Sequence, residues 1–259
     1  MTDSPNVTSA DGVLTIAVST SANGTSLNDD AVDEAVEVLT DLHAGKRDER
    51  VILLVGAGKN FCAGGNVASF AAAEDRTAFL AQLADQLHRM IHLIDTAHRP
   101  VVVAAKGWAA GAGMSLTLIG DVVVGGPSTK MRPAYSGIGL SPDGGMTWSL
   151  PRAVGSSRAR AIILTNRVIA ADEALGLGLL SEIVDDDQVD ARAREIAGEL
   201  AAGPRAALRA TAQLLRASPT ASLADQMAAE SASIAHLGGQ PEGIEGVDAF
   251  VEKRAPRWG

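Results

Sequence analysis

The segment PVVVAAKGWAAGAGMSLTL, residues 100–118, decides the fold of this chain. Its apolar run Val101–Ala105 is β-branched at first and short, which predicts a buried strand. Glycines follow at once among alanines, and the apolar residues 114–119 then predict a buried helix that Gly120 closes. A strand, a turn of small residues and a helix start can present backbone N–H groups to a ligand's oxygen. The alternative is that the small residues only let this helix pack closely.

Composition limits the class of protein. The chain has 259 residues, 46% of them hydrophobic, which is enough for a large core. Its net charge of −9 argues against a nucleic-acid partner, and its single cysteine excludes an intrachain disulfide. The N-terminus has no basic region followed by an apolar stretch, and no apolar run approaches the ~18 residues of a membrane span. These features predict a cytoplasmic protein that binds neither nucleic acid nor membrane.

Strand and helix patterns alternate along the first half of the chain and give way to helices alone. The predicted strands are 13–18, 51–55, 101–105, 121–124 and 183–184. The predicted helices are 29–44, with Asn28 as its N-cap and Gly45 as its stop, 76–97, 114–119, 146–154, 157–165, 171–177, 188–202, 204–217, 222–237 and 241–253. This order predicts an α/β core over residues 1–200, with a C-terminal helical region over residues 201–259.

Three loops follow or adjoin predicted strands, and each is built from small residues. Two of them, 56–66 and 107–113, are glycine-rich turns that can present N–H groups, and the third, 138–145, carries Asp143. This combination suits the stabilisation of an enolate while a base moves a proton, provided that the loops converge. An aspartate between Pro142 and Gly144 is also ordinary turn chemistry, so a structural role is the alternative.

Four stretches, by their order and spacing, resemble the crotonase superfamily, the enoyl-CoA hydratase/isomerase group. They are GKNFCAGGN at 58–66, GWAAGAGMSL at 107–116, GLSPDGG at 139–145 and LPRAVG at 150–155. The resemblance covers nearly the whole chain and implies a spiral of ββα units with a C-terminal α-helical trimerisation region. It also implies an acyl-CoA substrate, no separate cofactor because coenzyme A is part of that substrate, and a homo-oligomer, either a trimer or a dimer of trimers.

The resemblance assigns roles to individual positions. The backbone N–H groups of Gly65 and Ala112 would hold the thioester oxygen as it gains charge, and alanine suits position 112 if its φ is not positive. The helix over 76–97 would flank the acyl pocket, and Lys59 and Lys253 would lie near the phosphates of coenzyme A. The implied substrate-binding residues are Lys59, Ala63, Gly64, Trp108, Gly111, Ser115, Tyr135 and Lys253.

The chain departs from the family at the catalytic positions. Family hydratases use two glutamates, and the matching residues here are Ser115 and Tyr135. Because neither can readily replace carboxylates that position water and transfer its proton, ordinary hydration is not expected. Asp143 matches an aspartate of several family isomerases, so we expect it to shift a double bond by taking a proton from C2 and returning it at C4. The alternatives are hydration or thioester hydrolysis with Asp143 activating water, and a non-catalytic acyl-CoA binding protein.

Other candidates for chemistry are weaker. His88 and His92 have a metal-binding spacing, but no third ligand stands out, so no metal is expected. Cys62 is expected to be a buried core thiol, since no histidine adjoins it. Tyr135 either orients the acyl group or packs with its hydroxyl satisfied. Asn66 replaces the aspartate that is common in the family motif, and its effect on the loop is not predicted.

Overall fold

The apolar run Val101–Ala105 forms a fully buried strand, as predicted. The structure is a computed structural model that describes residues 4–20 and 25–258. Its strands are β1 (Val7–Ala10), β2 (Val13–Ser19), β3 (Val51–Gly56), β4 (Val101–Ala105), β5 (Trp108–Ala110), β6 (Val122–Gly125), β7 (Lys130–Arg132), β8 (Ile169–Ala170) and β9 (Glu182–Ile183). Its helices are α1 (Asp29–His43), α2 (Val67–Ala72), α3 (Arg76–Thr96), α4 (Ala112–Thr117), α5 (Met146–Val154), α6 (Ser156–Thr165), α7 (Ala171–Gly176), α8 (Val189–Ala201), α9 (Arg205–Ala217), α10 (Leu223–Gly238) and α11 (Pro241–Glu252), with a 3-10 turn at Ser136–Ile138.

The strands form two sheets, and from β4 onward the chain passes back and forth between them. The large sheet has the order β1-β2-β3-β4-β6-β9, and all its pairs are parallel except β1 with β2. The small sheet has the order β5-β7-β8. The chain passes from β4 to β5 and then α4, and from β6 to β7 and then the helices that begin at α5. These successive ββα units confirm the predicted α/β spiral.

The large sheet is covered on both faces, which is why its parallel strands read as continuous apolar runs. On one face, Leu53, Val102 and Val124 pack against the alanines of α8. On the other, Ile52, Leu54, Val101 and Val103 belong to the core formed with α1 and α3. Because α3 is the helix predicted to flank the ligand pocket, this face of the sheet supports the site.

Several short elements were not predicted. They are β1, β5, β7, β8 and α2, and α4 begins at Ala112 rather than at the apolar run 114–119. Each of the three strands of the small sheet has two or three residues and is defined by pairing with a distant segment, for example β5 with β7. Such elements leave no periodic pattern in the sequence.

The C-terminal helices follow the last helix that packs on the large sheet. The predicted boundary after residue 200 falls at the end of α8, Ala201. None of the residues of α10 is buried, and α11 buries only Ala249. The division into two regions and the oligomerisation role stay predictions. Within the described residues, no helix combines the length and apolar character needed to cross a membrane.

Candidate active site

The two glycine-rich turns lie side by side because the short strand β5 pairs with the turn before Gly64. The Cys62 N–H donates to the Trp108 carbonyl (3.0 Å), and the Ala110 N–H donates to the Cys62 carbonyl (2.9 Å). A Cβ added at Gly113 would lie 2.1 Å from the Cys62 carbonyl oxygen, so α4 can approach this turn only with glycine at that position. Two of the three predicted loops therefore converge.

Two backbone N–H groups at this junction are free to bind a ligand. Gly65 and Ala112 line the same cavity, and neither N–H donates a hydrogen bond to any acceptor within residues 4–20 and 25–258. The turn into α4 is made by Gly111, whose φ of 54° and ψ of −125° suit glycine. Ala112 has no positive φ, so alanine fits here as anticipated. The predicted pair of oxyanion donors is thus brought together in one cavity.

The cavity has a volume of about 460 Å³ and a mostly apolar wall. Leucines and alanines of α3 form one side, which agrees with the prediction that this helix flanks the pocket. Further wall residues are Leu27, Val67, Phe70, Ile138 and Leu140. A volume in this range suits a small organic ligand or the acyl part of a larger one.

The third loop brings Asp143 into the same cavity, where both departures from the hydratase pattern contact it. The Tyr135 hydroxyl donates to Asp143 Oδ1 (2.5 Å). The Ser115 hydroxyl, fully buried on α4, donates to the Asp143 backbone carbonyl (3.0 Å) and lies 3.5 Å from the Tyr135 hydroxyl oxygen. The two positions that would carry hydratase glutamates therefore hold neutral groups that contact one aspartate.

Tyr135 is held in its protonated form. Burial raises the pKa of its phenol far above the usual value, and the negative charge of nearby Asp143 raises that pKa further. The phenol therefore keeps its proton and donates a hydrogen bond to the Asp143 side chain. Of the two predicted roles for Tyr135, the structure supports a satisfied hydroxyl, and the side chain also lines the cavity.

The structure separates the predicted substrate-binding residues into two groups. Ala63, Gly64, Gly111 and Tyr135 line the cavity, with Ser115 buried behind it. The other three, Lys59, Trp108 and Lys253, do not line it. Their contacts with coenzyme A stay predictions.

One carboxylate of the wall was missed by the sequence analysis. Asp29, at the start of α1, lines the cavity together with Leu27. Burial raises the pKa of the Asp29 carboxyl, and the nearby charges of Asp33 and Asp30 raise it further. In the sequence, Asp29 is one of two acidic residues in the first turn of α1, where the helix dipole favours negative charge, and no pattern indicates that this turn lies beside the glycine-rich turns.

The weaker candidates have structural roles. Cys62 is buried, and burial raises the pKa of its thiol to about 12, which confirms an inert core thiol. Asn66 caps α2 by accepting the Ala68 N–H (3.2 Å). Among the residues that the structure describes, no three His, Cys, Asp or Glu side chains are grouped so that they could hold a metal ion.

The ββα spiral, with the two N–H groups that have no acceptor in the described residues and the Asp143 carboxylate at a mostly apolar cavity, is the architecture expected of the crotonase superfamily. The family model described as enoyl-CoA hydratase/isomerase matches residues 8–259, and the chain belongs to this family. Over 222 residues it is 36% identical to a Rhodobacter capsulatus protein named "Probable enoyl-CoA hydratase", with 86% of each chain covered. Over 254 residues it is 33% identical to the 1,2-epoxyphenylacetyl-CoA isomerase of Escherichia coli, with 95% of each covered. The crystal structure of an enoyl-CoA hydratase from Polaromonas sp. JS666 superposes with a TM-score of 0.91 at 31% identity, covering 98% of each chain.

Proposed function

We propose that this protein is an enoyl-CoA isomerase in which Asp143 is the only catalytic base. The observation that carries the proposal is the pair of contacts from Tyr135 and Ser115 to Asp143. Neither of these side chains is a carboxylate, and both are engaged by the aspartate. The site therefore has one base facing the cavity from this loop, which is sufficient for moving a proton between two carbons of the same substrate.

The proposed reaction shifts a double bond from C3 to C2 of the acyl chain. The thioester oxygen accepts hydrogen bonds from the Gly65 and Ala112 N–H groups, which makes the C2 protons more acidic. The Asp143 carboxylate takes a proton from C2, and the electron pair delocalises over the dienolate. The protonated Asp143 then returns the proton at C4, which forms the C2=C3 bond. No water, oxidant or cofactor enters the balance, since coenzyme A is part of the substrate.

The names of relatives bear on the choice of reaction. The Escherichia coli relative is named 1,2-epoxyphenylacetyl-CoA isomerase, which supports isomerisation of a coenzyme A thioester, whereas several other relatives are named hydratases. Hydration or thioester hydrolysis with Asp143 activating water is the alternative reaction. A non-catalytic acyl-CoA binding protein is the alternative outside enzymes. The cytoplasmic location predicted from the sequence belongs to the same proposal.

The first test is to incubate the purified protein with 3-hexenoyl-CoA and, separately, with 2-hexenoyl-CoA. We expect the 3-enoyl substrate to gain the absorbance of a conjugated enoyl thioester without any change in mass. Gain of one water by the 2-enoyl substrate as the faster reaction would contradict the isomerase assignment and favour hydration. If both substrates stay unchanged while they bind, the non-catalytic alternative is correct for this substrate class.

We also propose that the C-terminal helices bind a second copy of this chain. Their apolar side chains lie in solvent in the single chain, among them Phe250 (85% exposed), Ile234 (72%) and Leu223 (75%). Two successive helices with almost no buried residue are unusual for a stable monomer and indicate an interface.

This interface predicts that Phe250→Glu lowers the mass of the particle in solution. The wild type should sediment as a trimer or a hexamer, and the variant should shift towards the 26.5 kDa monomer because a charge would be buried between the copies. Ala44→Glu, exposed at the end of α1, adds the same charge outside α10 and α11 and should leave the mass unchanged. A monomeric wild type at micromolar concentration would contradict the proposal.

A further inference from the structure

The peptide group between Asp143 and Gly144 is held by side chains from two different helices. Its carbonyl accepts a hydrogen bond from Ser115 Oγ of α4 (3.0 Å) and also from the Met146 N–H (3.2 Å). Its N–H, which belongs to Gly144, donates to His88 Nε2 of α3 (3.0 Å). Ser115 and His88 are 28 and 56 residues away along the chain from these partners. Both polar atoms of one peptide plane are thus fixed by residues outside the loop.

The same peptide is also confined by packing. Gly144 has a φ of +60°, a region that favours glycine. A Cβ added to it would lie 2.7 Å from Ser115 Cβ and 3.5 Å from Ile91 Cδ1 of α3. The Gly144 backbone therefore packs closely against Ser115 of α4 and leaves room for no side chain there, while α3 contributes the hydrogen bond to its N–H.

The orientation of this peptide determines where the Asp143 side chain points, because its carbonyl carbon is bonded to the Asp143 Cα. We infer that His88 and Ser115 are positioning residues that clamp the Asp143–Gly144 peptide and so hold the carboxylate in the cavity. His88 does this through Nε2, which accepts the Gly144 N–H. The inference rests on the proposed function in that Asp143 is taken as the base, whereas the clamp is a structural feature that can be measured without turnover.

The clamp also assigns a role to Ser115, which lies where family hydratases have a glutamate. Ser115 is fully buried, and its hydroxyl donates a hydrogen bond to the Asp143 carbonyl. Small displacements of a catalytic group cost rate steeply, about 10²-fold for a misplacement near 1 Å. Loss of one clamp contact should therefore lower kcat while substrate binding, which depends on the cavity wall, is retained.

The test compares His88→Leu, which removes the acceptor, with His88→Gln, whose side-chain oxygen can accept the same N–H. His92→Leu is the matched control, because His92 is exposed on the next turn of α3 and its side chain makes no hydrogen bond within the described residues. Two readouts are taken: hydrogen exchange of the Gly144 amide, and kcat with KM for the 3-enoyl substrate.

We expect His88→Leu to speed exchange at Gly144 at least about 10-fold and to lower kcat about 10- to 100-fold, with KM changed by less than about 3-fold. The glutamine variant and the His92 control should resemble the wild type in both readouts. Unchanged exchange in His88→Leu would overturn the clamp. Faster exchange with unchanged kcat would overturn its positioning role. If the wild type lacks isomerase activity, the proposed function fails while the exchange experiment still decides the clamp.

Ser115→Ala provides a second variant if a leucine at position 88 disturbs the fold. It removes the hydroxyl at the opposite end of the peptide and leaves the hydrogen bond from Gly144 to His88 in place. Combined with His88→Leu, it should show an effect on kcat that is smaller than the product of the two single effects, because both changes free the same peptide. Multiplicative effects would contradict a shared clamp.

Discussion

Replacing Asp143 with asparagine is expected to lower kcat for isomerisation of a 3-enoyl-CoA by about 10²- to 10⁴-fold, the usual range for loss of a general base. The amide keeps the size of the side chain and an oxygen that can accept the Tyr135 hydroxyl, so the loop should keep its conformation. It cannot take a proton from C2. Steady-state assays should therefore show a large loss in kcat, and calorimetry should show that acyl-CoA still binds.

Two further variants make this result specific. Asp143→Ala is measured in parallel, because asparagine before Gly144 is prone to deamidation, which would regenerate a carboxylate. Asp29→Asn makes the same change at the other carboxylate of the cavity wall. We expect its effect on kcat to be smaller than that of Asp143→Asn by at least about 10-fold, because Tyr135 and Ser115 converge on Asp143 alone. The reverse ranking would transfer the role of base to Asp29.

The main elements of the fold could be predicted because each has a local pattern. The strands β2, β3 and β4 are short β-branched runs that are buried on the sheet, and α1 and α3 show apolar residues at helical spacing. The small sheet could not be predicted in the same way. The sequence of β5 is typical of a glycine-rich turn. The segment is a strand because it pairs with β7 and because Ala109 forms a bridge with Cys62.

The site could be predicted in its parts but not in its connections. The loops, the two backbone donors and Asp143 followed from the motifs and their resemblance to a known family. The sequence also indicated that Ser115 and Tyr135 break the hydratase pattern. It could not indicate that both contact Asp143, because those contacts depend on how α4 and the segment after β7 pack around the third loop. In the sequence, the spacing of His88 and His92 is typical of a metal pair and gives no sign of the contact between His88 and Gly144.

Ser115 and Tyr135, which replace the two hydratase glutamates, are linked in the structure because both contact Asp143. A glutamate at position 115 would place a long charged side chain where Ser115 now packs, 2.7 Å from the position of a Cβ on Gly144. A glutamate at position 135 would bring a second negative charge to the neighbourhood of the Asp143 carboxylate in place of a hydrogen-bond donor, and the two like charges would repel. With neutral residues at 115 and 135, Asp143 is the one acidic side chain among these three contacting residues.

Loss of one oxyanion donor is expected to cause the second large decrease in kcat. Ala112→Pro tests this expectation, because it removes a backbone N–H. Proline removes the Ala112 N–H and is well tolerated as the first residue of a helix, which Ala112 is in α4. The preceding Gly111 lies outside the helical region that a following proline disfavours. No hydrogen bond within the described residues is lost, since this N–H has no acceptor there. We expect kcat to fall about 10²- to 10³-fold, the usual cost of losing one oxyanion donor.

The matched control for this variant is Ala112→Gly, which keeps the N–H and should stay within a few-fold of the wild type. Free coenzyme A has no thioester oxygen, so its affinity should be the same for the wild type and both variants, whereas turnover should separate them. Turnover that survives in Ala112→Pro would show that the thioester oxygen is held elsewhere. Because this result depends on the backbone of α4 and not on the base, a loss of activity in both Ala112→Pro and Asp143→Asn would support an enolate formed between the two loops.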